Sequence, residues 1–123
     1  MTTRDWQCEN HRQQLVWAAA TGEALRVLEG KWKIVIVVQL FAAKEPLRFS
    51  ELGRRVEGVN QKMLTQQLKD LEKDGIVTRH VYPQVPPRVE YQLSELGLAL
   101  GPAIECLIYW TLMRRSSPKL TTA

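Results

Sequence analysis

Cysteine is scarce in this chain, which has Cys8 and Cys106 and no other among 123 residues. Two thiols so far apart build neither a disulfide framework nor a zinc knuckle. Two histidines, His11 and His80, are equally scattered. They argue against a metal centre, and neither metal nor cofactor is expected. The N-terminus "MTTRDWQCENHRQQ" has no apolar signal-peptide core. The longest apolar run, "IVIVVQLFAA", is interrupted by Gln39 and falls short of a membrane span. A soluble, cytoplasmic chain with no membrane partner is therefore expected. No Ser/His/Asp order, glycine-rich phosphate loop or ligand cluster is present, so an enzyme is not expected. Free carboxylates such as Glu72 and Asp74 read as surface charge. There is no internal repeat.

Apolar residues make up 45% of the chain, enough for a core. The length fits one domain. Net charge is +4 and the pI is near 9.3. That balance permits a polyanionic partner without demanding one.

Residues 1–14 form a polar arm, 15–114 the folded domain and 115–123 a basic flexible tail. Leu15, Val16, Ala19, Ala20, Ala24, Leu25 and Leu28 trace a helical stripe, with a break expected at Thr21-Gly22 and a stop at Gly30. "KWKIVIVVQLFAA" is ambiguous, because its β-branched run favours a strand and its length a buried helix. In "EPLRFSEL", Pro46 is a break and Ser50 the expected N-cap of a short helix ending near Arg55 or Val56. Gly58 ends that helix. Val59, Asn60 and Leu64 then stand at N′, N-cap and N4 of the next one, the positions of a hydrophobic staple. Gly75 suits a left-handed C-cap. Ile76 to Tyr82 and Arg88 to Leu93 predict a hairpin around the proline-stiffened tip "PQVPP". Ser94 caps a last helix, Glu95 to Arg114, which Pro102 should bend. Two helices joined by a short turn and followed by a hairpin make a winged helix. The fold class is α+β, mostly helical, a winged helix-turn-helix with N- and C-terminal dimerisation helices.

The stretch "NQKMLTQQLKDLEKDG" sorts its charges. Asn60 to Lys69 carries Lys62, Lys69 and three glutamines with no acid, and Asp70, Glu72 and Asp74 follow. Basic residues at a helix N-terminus and acids at its C-terminus both oppose the macrodipole. A basic end aimed at a polyanion would offset that cost. On a helical wheel Leu64, Leu68 and Leu71 face a core, while Gln61, Lys62, Thr65, Gln66 and Lys69 fill a neighbouring arc. Gln can bond adenine, Lys guanine, and Thr can meet a thymine methyl, so this arc can read a major groove. The competing reading, a solvated polar face, is the better one for this helix taken alone. The short helix before it and the hairpin after it shift the balance.

Arg79, His80 and Arg88 are wing candidates for backbone or minor groove. Arg88 and Glu90 lie at a spacing that allows a same-face pair instead. Arg48, Arg54 and Arg55 could hold phosphates, and Ser50 is counted with them. The last helix is apolar over most of its circumference, which predicts a second partner. Leu15, Ala103, Ile104, Leu107, Ile108, Trp110 and Thr111 are the expected interface of a homodimer, whose two-fold axis would place two recognition helices on one duplex.

The blocks "LEGKWKIVIVVQL", "LRFSEL", "VNQKMLTQQLKDLEKDGIVTR" and "YPQVPPRVEYQLSELG", with Trp110 near the end, closely resemble the HxlR family of bacterial winged-helix, MarR-like regulators. The match runs from about Leu25 to Trp110. The resemblance implies a homodimer binding double-stranded operator DNA, with the helix from Asn60 in the major groove and the hairpin as wing. It also implies that "KWKIVIVVQL" is a helix. Asn60 stands where many members have Ser. Several members sense oxidants through a cysteine in a "CP" pair about a dozen residues before the lysine of "GKW". Ala19-Ala20 stands there in this chain, so that switch does not carry over. Cys8 is the remaining candidate thiol switch, with an incidental exposed cysteine as the competing reading. An unidentified small-molecule or redox effector stays open as a partner, and Trp17, Trp32 and Trp110 could line its pocket. The alternative function is a winged-helix protein-interaction module without DNA affinity.

Overall fold

A computed structural model describes residues 10–117, so Cys8, most of the N-terminal arm and the tail beyond residue 117 lie outside the described residues. The chain divides into two compact units, residues 1–31 and 32–123.

The described part of the first unit is helix α1 (His11–Val27). It begins before the expected Leu15 because the Asn10 side chain caps it, accepting from the Arg12 and Gln13 amides at 2.9 and 3.4 Å. No break occurs at Thr21-Gly22. The Thr21 hydroxyl donates to the Trp17 carbonyl at 2.8 Å, and a lone mid-helix glycine costs only about 1 kcal/mol. None of the α1 residues is buried. Leu15, Val16 and Leu25 are all exposed.

The second unit opens with α2 (Lys33–Ala43). Its β-branched run is helical, as the family resemblance implies. Trp32, Ile36, Val37 and Leu40 are buried, a spacing that belongs to a helix and not to a strand. Strand β1 (Leu47–Arg48), helix α3 (Phe49–Arg55) and helix α4 (Gln61–Lys73) follow. Ser50 is not the N-cap of α3. Arg48 holds that position without a side-chain cap bond, and Ser50 lies in the first turn.

Helix α4 starts where its sequence predicts. Asn60 Oδ1 accepts from the Met63 amide at 2.8 Å, and Leu64, Leu68 and Leu71 are buried. Gly75, at φ 78°, turns the chain out of the helix in the left-handed region that glycine enters freely. Strands β2 (Val77–Tyr82) and β3 (Arg88–Leu93) form the hairpin. The sheet order is β1-β3-β2, all antiparallel. The register sets Leu47 opposite Tyr91 and Arg48 opposite Glu90 on one side of β3, and His80 opposite Glu90 on the other.

The last apolar stretch is two helices, α5 (Glu95–Leu98) and α6 (Gly101–Ser116). Pro102 does not bend one helix. It sits in the first turn of the second, where its missing N–H leaves no bond unmade. Glu95–Ser116 is also a longer apolar stretch than "IVIVVQLFAA", with a mean hydropathy of 1.5 over its most apolar window. By length and composition alone it could cross a membrane. Glu95, Glu105, Arg114 and Arg115 punctuate it, and it is broken after Leu98.

The core of this unit gathers Ile36, Val37, Leu40, Leu52, Leu64, Leu68, Leu71, Val77, Tyr91 and Leu93. Trp32 belongs to it, which removes that tryptophan from any open pocket. Ile104, expected at an interface, is only 4% exposed and packs into the chain's own core.

Candidate nucleic-acid interface

With its three leucines seated in the core, α4 turns Gln61, Lys62, Gln66 and Lys69 to solvent and half-buries Thr65. The Thr65 hydroxyl donates to the Gln61 carbonyl at 2.8 Å. Its oxygen can still accept a hydrogen bond. Gln66 donates from Nε2 to Asp70 Oδ1 at 3.0 Å. The other carboxylate oxygen of Asp70 lies 3.9 Å from Lys33 Nζ. Lys62, Lys69 and Arg79 form no ion pair among the described residues.

A polar groove of about 600 Å³ is lined by residues of β1, α3 and the wing, with Glu45 and Pro46 before β1. It brings together Arg48, Ser50, Arg54 and Arg88, four residues that the sequence nominates separately, with Glu45, Glu51 and Glu90 between them. Arg54 and Arg55 lie 3.9 and 3.7 Å from Glu51. Such exposed pairs contribute only ~0–1 kcal/mol, so either arginine can exchange Glu51 for a phosphate at little cost. Arg79 lines a separate cavity of about 300 Å³ on the hairpin, with His80 and Tyr82.

Arg88 differs from the other basic candidates. Its guanidinium donates to Glu90 through Nε at 2.9 Å and also through Nη2. It also lies 5.0 Å from the centre of the Tyr82 ring, a cation–π arrangement. The His80 ring meets the same tyrosine edge-on at 4.4 Å. The same-face pair that the two-residue spacing allows is therefore formed within β3, and Arg88 is committed to the wing before any ligand arrives. The wing tip, Pro83 to Pro87, carries no charge, and Val85 at its apex is fully exposed.

The Arg88 hydrogen bonds hold the Glu90 carboxyl below its ordinary range. Burial opposes them, while the Arg88 charge, a Tyr82 hydrogen bond and the Arg48 charge act with them. A lowered pKa stabilises the fold above the unfolded value of about 4.3, and that stability is lost as pH falls through the folded value. Glu90→Gln should therefore melt below the wild type at neutral pH. The gap should narrow as pH falls from roughly 5 to 3. Melting temperatures across that range read the effect, and a constant gap would assign the loss to packing alone.

Sequence reading alone did not nominate Lys33, Asp70 or Tyr82 as parts of this surface, while Glu90 entered it as the possible same-face partner of Arg88. For Asp70 the signal was present, since it lies four residues after Gln66 on one helix face. For Lys33, in another helix, no local signal exists.

The family model described as HxlR-like helix-turn-helix matches residues 27–117. Over 86 residues the chain is 51% identical to YtcD of Bacillus subtilis, named as an uncharacterized HTH-type transcriptional regulator, covering 70% of this chain and 67% of that one. A crystal structure of ytcD, titled a putative HTH-type transcriptional regulator, matches with a TM-score of 0.73 at 44% identity, over 79% of this chain and 97% of that one. The redox regulator HypR in its reduced form matches with a TM-score of 0.73 at 40% identity, over 79% of this chain and 94% of that one.

Proposed function

This chain belongs to the HxlR-like helix-turn-helix family, and we propose that it is a cytoplasmic transcription regulator that binds operator DNA as a homodimer. The observation that carries the reading is the division of α4. Its leucines are buried, and its acid-free N-terminal half presents Gln61, Lys62, Thr65, Gln66 and Lys69 outward. That half enters the major groove, where amide and ammonium groups meet base edges. Arg48, Ser50, Arg54 and Arg55 hold the flanking phosphates. The wing lies over backbone or minor groove, with Arg79 as its mobile cation and Arg88 braced by Glu90. A second copy of the chain covers α6 and α1, and the two-fold axis spaces two recognition helices along one duplex. A protein-interaction module without DNA affinity has no observation in its favour.

Binding of the purified protein to a duplex from upstream of its own gene, against a scrambled duplex over a range of salt, tests the reading. Tight, salt-steep binding with preference for the upstream duplex is expected. Gln66→Ala should relax sequence preference at one position by about 1–3 kcal/mol, while Arg55→Ala should weaken all duplexes alike and reduce the salt slope by about one. Salt-independent binding, or preference untouched by Gln66→Ala, would remove the groove assignment.

A further inference from the structure

An amide side chain is an ambiguous reader of bases. Turned one way, Gln66 offers its carbonyl to the amino groups of adenine or cytosine. Turned over, it offers N–H to the keto oxygens of guanine or thymine. Asp70 removes that ambiguity. A carboxylate only accepts hydrogen bonds, so the 3.0 Å contact between Gln66 Nε2 and Asp70 Oδ1 requires the NH2 to face Asp70. Oε1 is then the free acceptor, and one N–H remains for a second bond.

An acid on a DNA-facing helix would ordinarily repel phosphates. Here Lys33 stands behind it, 3.9 Å from Asp70 Oδ2 and with its side chain only 14% exposed. A nearly buried lysine on α2 thus offsets the charge of Asp70 beside the carboxylate oxygen that Gln66 does not use. Removal of water on binding would strengthen the whole relay.

We propose that Asp70 is a positioning residue that fixes the Gln66 amide with its carbonyl toward the base, so that the helix selects an amino base over a keto base. Adenine is favoured most, because the remaining N–H can reach its N7 while Oε1 accepts from N6. The proposal rests on the reading that α4 lies in the major groove.

Duplexes selected by the full-length protein from a randomised pool supply the probe. Binding of the wild type, Gln66→Ala, Asp70→Asn and Asp70→Ala is then measured on the best duplex and on its single-base-pair variants. The wild type should prefer adenine at one symmetry-related pair of positions by roughly five- to hundredfold. Gln66→Ala should level that preference. Asp70→Asn keeps size and shape but can donate as well as accept, so it no longer dictates the amide orientation. It should admit guanine and thymine at that pair of positions while preferences elsewhere stay as in the wild type. Asp70→Ala should behave alike, and Asp70→Asn covers the case in which the alanine variant folds poorly. If Gln66→Ala levels the preference and Asp70→Asn does not, Asp70 has no positioning role and the groove reading stands. If Gln66→Ala leaves every position unchanged, the groove reading falls and this inference with it.

Discussion

Leu107→Glu and Ile108→Glu, made singly, will each convert the proposed dimer to monomers and lower operator affinity by orders of magnitude. Within the second unit, α6 buries only Gly101 and Ile104. Leu107 and Ile108 stay 57% and 53% exposed, and Tyr109, Trp110, Leu112 and Met113 are similarly open. That much contiguous apolar surface is what an interface leaves behind when its partner is removed. Losing a buried leucine or isoleucine contact costs ~2–5 kcal/mol, and an isologous interface incurs the loss twice. A dimer dissociation constant raised on the order of a thousandfold or more follows, since each 1.4 kcal/mol is tenfold. DNA affinity falls with it, because each half-site is then bound without the effective concentration that the second half provides. Sedimentation equilibrium reads the first effect and fluorescence anisotropy on the operator duplex the second. Neither side chain belongs to the chain's own core, so the circular dichroism of the winged helix should be kept. A Leu107→Glu protein that stays dimeric would move the interface away from α6.

The parts of this fold that could be read ahead of the structure are those where several local signals agree. Helix α4 has a capping asparagine, three leucines at helical spacing and a glycine where the chain must turn left-handed. Each signal is short-range, and each points to the same boundaries. Helix α2 lacks that agreement, since "IVIVV" prefers a strand by propensity. Only the resemblance assigned it, and the packing of Trp32, Ile36, Val37 and Leu40 explains why tertiary burial overrides the preference. Strand β1 was not legible at all. Leu47 and Arg48 are a strand only because Tyr91 and Glu90 lie opposite them, and a pairing between residues so distant leaves no mark in either segment. The site divides in the same way. Which α4 side chains face outward followed from the helical period. The Arg88–Glu90 pair was allowed by its two-residue spacing, but the Tyr82 contact depends on hairpin register and Lys33 reaches Asp70 from another helix, so neither could be read locally.

Gly97→Ala will destabilise the protein severely, whereas Gly53→Ala, also a helical glycine, will be neutral or mildly stabilising. A Cβ on Gly97 would lie far inside van der Waals contact with the Ile76 carbonyl oxygen and 3.1 Å from two Leu93 side-chain atoms. The obstacle is backbone, and it is pinned. The Ile76 carbonyl accepts from the Ser94 amide at 2.9 Å, and the Ser94 hydroxyl shares its one proton between the Gly75 carbonyl at 2.5 Å and that of Ile76 at 3.1 Å. That same hydroxyl caps α5, accepting from the Gly97 amide at 3.0 Å. Relief therefore requires α5 to lift from the start of β2, which breaks the cap. Overpacking costs ~1–3 kcal/mol and loss of a serine cap ~0.5–2 kcal/mol. A loss of roughly 2–5 kcal/mol is a large share of a small domain's stability. At Gly53 the nearest heavy atom to an added Cβ is Leu64 Cδ2 at 3.9 Å, ordinary contact, and alanine gains up to about 1 kcal/mol of helix propensity. Urea unfolding of the two variants at one protein concentration separates the effects. Function should follow, because α5 leads directly into α6. A shift of α5 would misplace the helix that carries the proposed dimer surface, so Gly97→Ala should bind operator weakly even where enough folded protein survives to be assayed. Equal stability of the two variants would mean that α5 repacks freely against Ile76.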